Sequence, residues 1–278
     1  MAKGITDAEK LKLMVEEFSN HCNVYLDFSK NKFPELFPGH NLLKRVLWSL
    51  HCSNEDSLKS INMIIKEGDL LSSITICRSM FESIIDMGLL SNKDDKEANK
   101  YLGFSTIERY KVLSNIINFP NQRVDINLLK KMKGEIKDYL SIYYPHKLKG
   151  KEFYPNKLPQ NWYDRNMLDK AKDVDKKYSN PNAKVFEYYY WMIYRAGSFA
   201  THRNAAAFDL CHTFKKSETK MAILLREDTF ITTIINSLKL FLISLGILND
   251  NLDKDKKIYE YVNIELNLLD EKFNKFYL

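Results

Sequence analysis

Two stretches of this chain place ionisable groups on helix stripes that periodicity otherwise assigns to hydrocarbon: Arg78 and Glu82 within Leu70 to Leu90, and Arg195, Ser198 and His202 within Val185 to His202. Burying an ion or an imidazole is unfavourable unless it is paired, so inward placement of such groups points to a use for them. At about 100° per residue, Glu82 falls close to Arg78 on the helical wheel. Arg195 and His202 lie within about 20° of one another over two turns, with Ser198 between them and Tyr194 at the border. A guanidinium binds the non-bridging oxygens of a phosphodiester bidentately, and an imidazole titrates near neutrality and can move a proton. His202 is thus expected to act as general acid or base at a phosphodiester, with Arg195 stabilising the oxyanions. Ser198 and Tyr194 would orient the phosphate, and the Arg78–Glu82 pair would hold Arg195 or His202 from a neighbouring helix. Such a site needs no metal and no cofactor.

A plainer reading of the same residues stands beside this one. Arg78 and Glu82 also suit an exposed i,i+4 ion pair worth about 0.3 kcal/mol, and His202 suits a hydrogen bond at a helix end beside a solvated arginine. The protein would then be a non-catalytic helical interaction module for a protein or nucleic-acid partner, or a small-molecule sensor. A second basic set, Lys147, Lys149, Lys151, Lys157 and Arg165, is interleaved with Phe153, Tyr154, Trp162 and Tyr163. It has the makings of a strand-binding surface that neutralises phosphates and stacks bases, or of a solvated charge run. The pairs His21-Cys22 and His51-Cys52 set adjacent side chains about 100° apart on a helix, with no carboxylate to complete a ligand set, so no metal site is expected.

These groups must be positioned by helices. Only nine glycines and seven prolines punctuate 278 residues, and the apolar period is helical nearly throughout. Thr6-x-x-Glu9 marks a first helix to about Lys30, followed by Leu42 to His51, a third helix after Ser53-Asn54 that closes at Gly68, and Leu70 to Leu90. Amphipathic helices follow at Asp95 to Asn118 and Asp125 to Tyr144. Residues 145–181 carry four prolines, at 145, 155, 159 and 181, together with many lysines, and read as a long irregular connection with periodicity only around Trp162 to Lys172. The remaining helices are Asn182 to His202, a short one at Ala205 to Phe214, the apolar Thr229 to Leu248, and Lys254 to Phe276. The expectation is an all-α, single-domain multi-helix bundle over residues 1–278.

Thr229 to Leu248 is long enough to span a membrane, but Lys239, Asn236, Thr232, Thr233 and Ser237 argue for a buried core helix. The excess of 42 basic over 36 acidic residues is mild, permitting a nucleic-acid partner without demanding one. Four scattered cysteines with no C-x-x-C pattern read as reduced thiols, and no basic start precedes an apolar run at the N-terminus. A cytoplasmic protein is expected.

The segments Cys77-Arg78-Ser79-Met80-Phe81-Glu82, Tyr101-Leu102-Gly103-Phe104 with Glu108-Arg109-Tyr110, and Tyr194 to His202 together resemble a bacterial family known only as a domain of unknown function. Its pattern is an R-S-x-x-E helix, an aromatic-rich connecting helix and a Y-x-x-x-S-x-x-x-H helix. The Arg195 to His202 spacing is also similar to the R-x(4 to 6)-H signature of the HEPN superfamily, helical domains that include metal-independent ribonucleases of toxin and phage-defence systems. That likeness implies RNA as substrate, a homodimer with a composite site, and a partner protein such as an antitoxin. Ala196 stands where that superfamily usually carries a polar residue.

Overall fold

The structure is a computed structural model, and it describes residues 7–33, 41–117, 119, 125–149, 152–178, 184–195, 197–198, 220–252 and 254–274. It is an all-α helical bundle. The helices are α1 (Asp7–Lys32), α2 (Leu42–Lys66), α3 (Leu70–Leu90), α4 (Asp95–Ile116), α5 (Ile126–Tyr143), α6 (Met167–Tyr178), α7 (Val185–Tyr189), α8 (Lys220–Asn251) and α9 (Lys256–Asn274). A two-stranded antiparallel ribbon pairs β1 (Leu148–Lys149) with β2 (Glu152–Phe153), Leu148 opposite Phe153. The chain contacts group into two compact units: residues 1–40, 44–92 and 171–278 in one, and 41–43 with 93–170 in the other.

In the larger unit, α8 packs on α3, α9 and α1. Its interior face is Phe230, Ile231, Ile234, Leu238, Phe241, Leu245 and Leu248, all buried, recurring at the three- and four-residue steps of a helix stripe. Thr229–Asn251 is apolar and long enough to cross a membrane, and 78% of its most apolar stretch is buried against the other helices. Opposite it, α3 is capped by Asp69, whose carboxylate accepts from Ser72 N, and ends where the Lys177 ammonium donates to the carbonyls of Gly88 and Ser91. Gly88 leaves room for Val174 of α6, since a Cβ there would lie 2.7 Å from Val174 Cγ1.

Two elements differ from the sequence expectation. The predicted break at Ser53-Asn54 is absent, and α2 runs unbroken from Leu42 to Lys66. Asn54 points inward, 1% exposed, with its amide donating to Met87 Sδ, so burial overrides a cap signal. Within the expected irregular stretch 145–181, α6 forms over twelve residues, with Asn166 Oδ1 accepting from Asp169 N at its start. Its lysines hide the period: Ala171 and Val174 are both fully buried.

The smaller unit is an α4–α5 hairpin closed by the 145–166 chain. Gly103 allows the Tyr139 ring to lie against α4, where a Cβ would come within 2.8 Å of it. The Tyr139 hydroxyl donates to Lys100 O, and the Tyr144 hydroxyl to Trp162 O.

A buried polar relay crosses the larger core. Ser29 Oγ donates to Glu55 Oε1 at 2.6 Å, His51 Nε2 lies 2.8 Å from Ser29 Oγ, and His51 Nδ1 lies 2.9 Å from Ser244 Oγ. Ser29 gives its hydrogen to Glu55 and Ser244 gives its own to Phe241 O at 2.8 Å, so the His51 ring lies between two hydroxyl oxygens. Burial brings the His51 pKa down from 6.5 to about 3. The unfolded chain therefore takes up a proton below pH 6.5 that the folded chain refuses, and this contribution to stability is complete above 6.5 and declines toward pH 3. Chemical denaturation between pH 6.5 and 5 should show a loss of about 2 kcal/mol from this group, absent from the same comparison in His51→Gln. Phe241→Ala, which empties a fully buried position beside His51, should lower unfolding free energy by about 3 to 5 kcal/mol in urea melts.

Candidate functional site

The residues first read as a polar stripe meet around one guanidinium. Arg78 Nε donates to Glu82 Oε1 at 3.0 Å, one helical turn along α3. The Arg78 side chain is 15% exposed and that of Glu82 42%, so the pair is neither the exposed ion pair of the plainer reading nor fully interior. The Arg78 Cζ stands 4.4 Å from the centroid of the Tyr194 ring. Tyr194 is itself stacked on Tyr190, with centroids 5.3 Å apart and planes at 19°, and touches Phe81. Below, Gly197 abuts the arginine stem: a Cβ there would lie 2.7 Å from Arg78 Cβ. Among the described residues the buried Nη1 has no hydrogen-bond partner. Arg78 is a strut, holding the segment that carries Tyr194.

That segment is not the regular helix used for the wheel above. After α7 the backbone widens to π-helical winding over Tyr190–Arg195. Such wide turns are uncommon and frequent at functional positions. The segment is anchored at its start by Asp175, whose carboxylate accepts from Phe186 N at 2.9 Å and from Glu187 N at 2.8 Å. Ile193 is buried, whereas Tyr188, Trp191 and Met192 are 55%, 54% and 41% exposed and Arg195 is exposed. Ser198 is half-buried next to Gly197. His202 lies outside the described residues, as do Ala205 to Phe214 and the Thr6 cap. Arg78 thus meets the segment that carries Arg195 at Tyr194 and Gly197.

The second basic set, in the smaller unit, is dispersed. Lys147 Nζ pairs with Asp164 Oδ2 at 2.8 Å, Lys157 Nζ sits 5.6 Å from the Tyr154 ring centroid, and Lys149 and Arg165 are exposed. Lys151 lies outside the described residues. Trp162 corrects the expectation of a stacking platform: it is 3% exposed, edge-on to Tyr101, with Lys100 and Lys170 ammonium groups over its ring at 5.9 and 5.6 Å. Its indole holds the hairpin together and offers no face to a base.

Sequence reasoning missed a cavity of about 230 Å³ in the larger unit, lined by Ile74 and Cys77 of α3, Met192 and Ile193 of the wide turn, and Thr229, Thr232, Thr233 and Asn236 of α8. The threonines and Asn236 counted only as reasons against a membrane span. Burial pushes the Cys77 thiol up to about 12, so it is a neutral wall and not a nucleophile. Among the described residues no group of three or more His, Cys, Asp or Glu is arranged to hold a metal ion.

Gly197→Ala should drive the new methyl into Arg78 and lower stability by about 1 to 3 kcal/mol in thermal or urea unfolding. A double-mutant cycle of Arg78→Lys with Tyr194→Leu should return a coupling of about 0.5 to 2 kcal/mol, and additive effects would remove the strut.

No curated protein and no solved structure matches this chain. A family model matches residues 44–220, a span that contains α3, the α4–α5 hairpin, the wide turn and Ser198 to His202. It covers more than half of the 278 residues. The chain therefore belongs to DUF5677, a family of unknown function.

Proposed function

We propose that this protein is a cytoplasmic, RNA-cleaving helical protein of the toxin or phage-defence type, related in mechanism to HEPN ribonucleases. The observation that supports the reading best is the exposed set of Tyr188 on α7 with Trp191 and Arg195 on the wide turn, whose Tyr194 rests on Arg78. Exposed aromatic rings give stacking surfaces that tolerate any base, and a guanidinium beside them meets the backbone phosphate. Arg195 then stabilises the charge that builds on the phosphate, and His202 moves the proton of the attacking 2′-hydroxyl. Ser198 orients the phosphate, while Arg78 and Glu82 are positioning residues that act through Tyr194. The reaction proceeds without a metal, and a homodimer brings two such segments into one composite site. An antitoxin-like partner protein would cover the same face.

Tryptophan, tyrosine, methionine and arginine are also the residue types enriched where proteins dock. The same exposed set therefore favours, as a second reading, a non-catalytic module whose partner is a protein.

Purified protein incubated with mixed RNA in EDTA should cleave it, and His202→Ala and Arg195→Ala should each lose about a hundredfold or more in rate. Trp191→Ala should weaken RNA binding by about 1 to 3 kcal/mol in a fluorescence titration. Intact RNA after incubation with wild type, or equal cleavage by all variants, would sink the nuclease. RNA binding unaffected by Trp191→Ala would remove the stacking surface.

A further inference from the structure

The smaller unit holds a charge asymmetry that neither reading above uses. Residues 93–170 carry sixteen lysines and arginines against ten acids, which is the whole +6 excess of the chain, so the larger unit is formally neutral. The parts of this unit outside the described residues, 118, 120–124, 150 and 151, include two of those cations and no acid, so their placement cannot cancel the excess.

Helix winding sorts this charge. At about 100° per residue, Lys130, Lys133 and Lys137 of α5 fall within about 60° of one another and climb about 10 Å along the axis. The other solvent edge of α5 is mixed: Lys131 pairs with Glu135 at 3.9 Å, and exposed Asp138 lies close to them on the wheel. The basic edge continues onto the ribbon. Lys137 Nζ donates to Glu152 Oε1 at 2.7 Å, and Glu152 of β2 stands directly opposite Lys149 of β1. Lys137, with Lys133 behind it, holds the Glu152 carboxyl below its usual range, so three lysines surround one carboxylate. Lys130, Lys133 and Lys149 are exposed and Lys137 is half-buried.

Like charges on neighbouring turns repel, and a face that gathers them suits a chain of anions. We infer that the Lys130–Lys133–Lys137 edge of α5, together with Lys149 of the ribbon, docks the sugar–phosphate backbone of a nucleic acid. Ammonium groups meet phosphates as point charges, and such contacts fix position without reading sequence. Between Lys130 and Lys137 the apolar side chains, Met132 and Ile136, are both buried, so this edge offers charge and no hydrocarbon to a bilayer. The face shares only Lys149 with the basic set at 147–165, and it does not require the nuclease.

RNA and DNA both present this backbone. Fluorescence anisotropy with short RNA and DNA duplexes over a series of salt concentrations separates them: equal affinity marks phosphate alone, and tighter binding of RNA marks contact with the 2′-hydroxyl as well. Four neutralised phosphates give log affinity against log salt a slope of about −3.6 on duplex DNA. Lys130→Gln and Lys133→Gln should each reduce that slope by about 0.9 and weaken binding severalfold at low salt. Lys131→Gln, the same change on the mixed edge, should leave both unchanged, and Glu152→Gln, which removes the one anion of the face, should tighten binding. All four positions are exposed, so melting temperatures should stay near that of wild type. Three results would overturn the inference: no binding of any duplex, an equal loss in Lys131→Gln, or binding as tight to poly-glutamate or phosphatidylserine vesicles. RNA cleavage measured on the same variants keeps the two claims apart. Salt-sensitive binding through this edge without cleavage leaves the face standing and removes the nuclease; cleavage with no such binding does the reverse.

Discussion

A planar cation held on three sides organises the larger unit. Arg78 meets a carboxylate at its Nε, an aromatic face on its plane and a glycine along its stem. Each contact uses a different property of the same side chain: charge, delocalised area and the slender aliphatic stalk. Lysine would retain only the first of these well. The arrangement fixes the distance between α3 and the wide turn, and with it the width of the cavity whose walls are Ile74 and Cys77 on one side and Met192 and Ile193 on the other. A residue whose head is nearly sealed from water can still govern what the surface presents, by setting where the neighbouring backbone lies.

The second interior polar system works on a different principle. His51, Ser29, Glu55 and Ser244 satisfy one another inside the packed contacts of α1, α2 and α8. The hydroxyls on either side of the ring leave a continuous line of polar contacts with a carboxylate at one end. With His51 only 1% exposed, this relay has no route to a substrate. It specifies how three helices register against one another, a common use of buried polar groups.

Helix identity was legible from period and punctuation, because α3, α8 and α9 bury stripes that the 3.6-residue repeat displays directly. What escaped was whatever burial imposes against local preference. Asn54 carries a cap signal but lies inside α2, and α6 hides two fully buried positions among lysines. Arg78, Glu82 and Tyr194 were singled out from residue type and spacing, and they do meet. Their mode of meeting was not readable, since regular winding was assumed where the backbone is wider. Trp162 was taken for an exposed ring because its neighbours are basic, yet those same cations cover it. Asn236 is visible as a polar interruption of an apolar run, but nothing in a linear string says that it lines a cavity.

The widened turn at Tyr190–Arg195 has a bearing on how the outer face is phased. A π loop accommodates one residue more than an α turn, so side chains that follow it are displaced around the axis relative to those before it. Tyr188 and Arg195 are brought to solvent while Ile193 is turned inward, an outcome a uniform spiral with the same letters would distribute differently. The extra residue acts as a phase shifter: loss of one amino acid between Tyr190 and Arg195 would leave every side chain chemically intact and aim the last of them elsewhere.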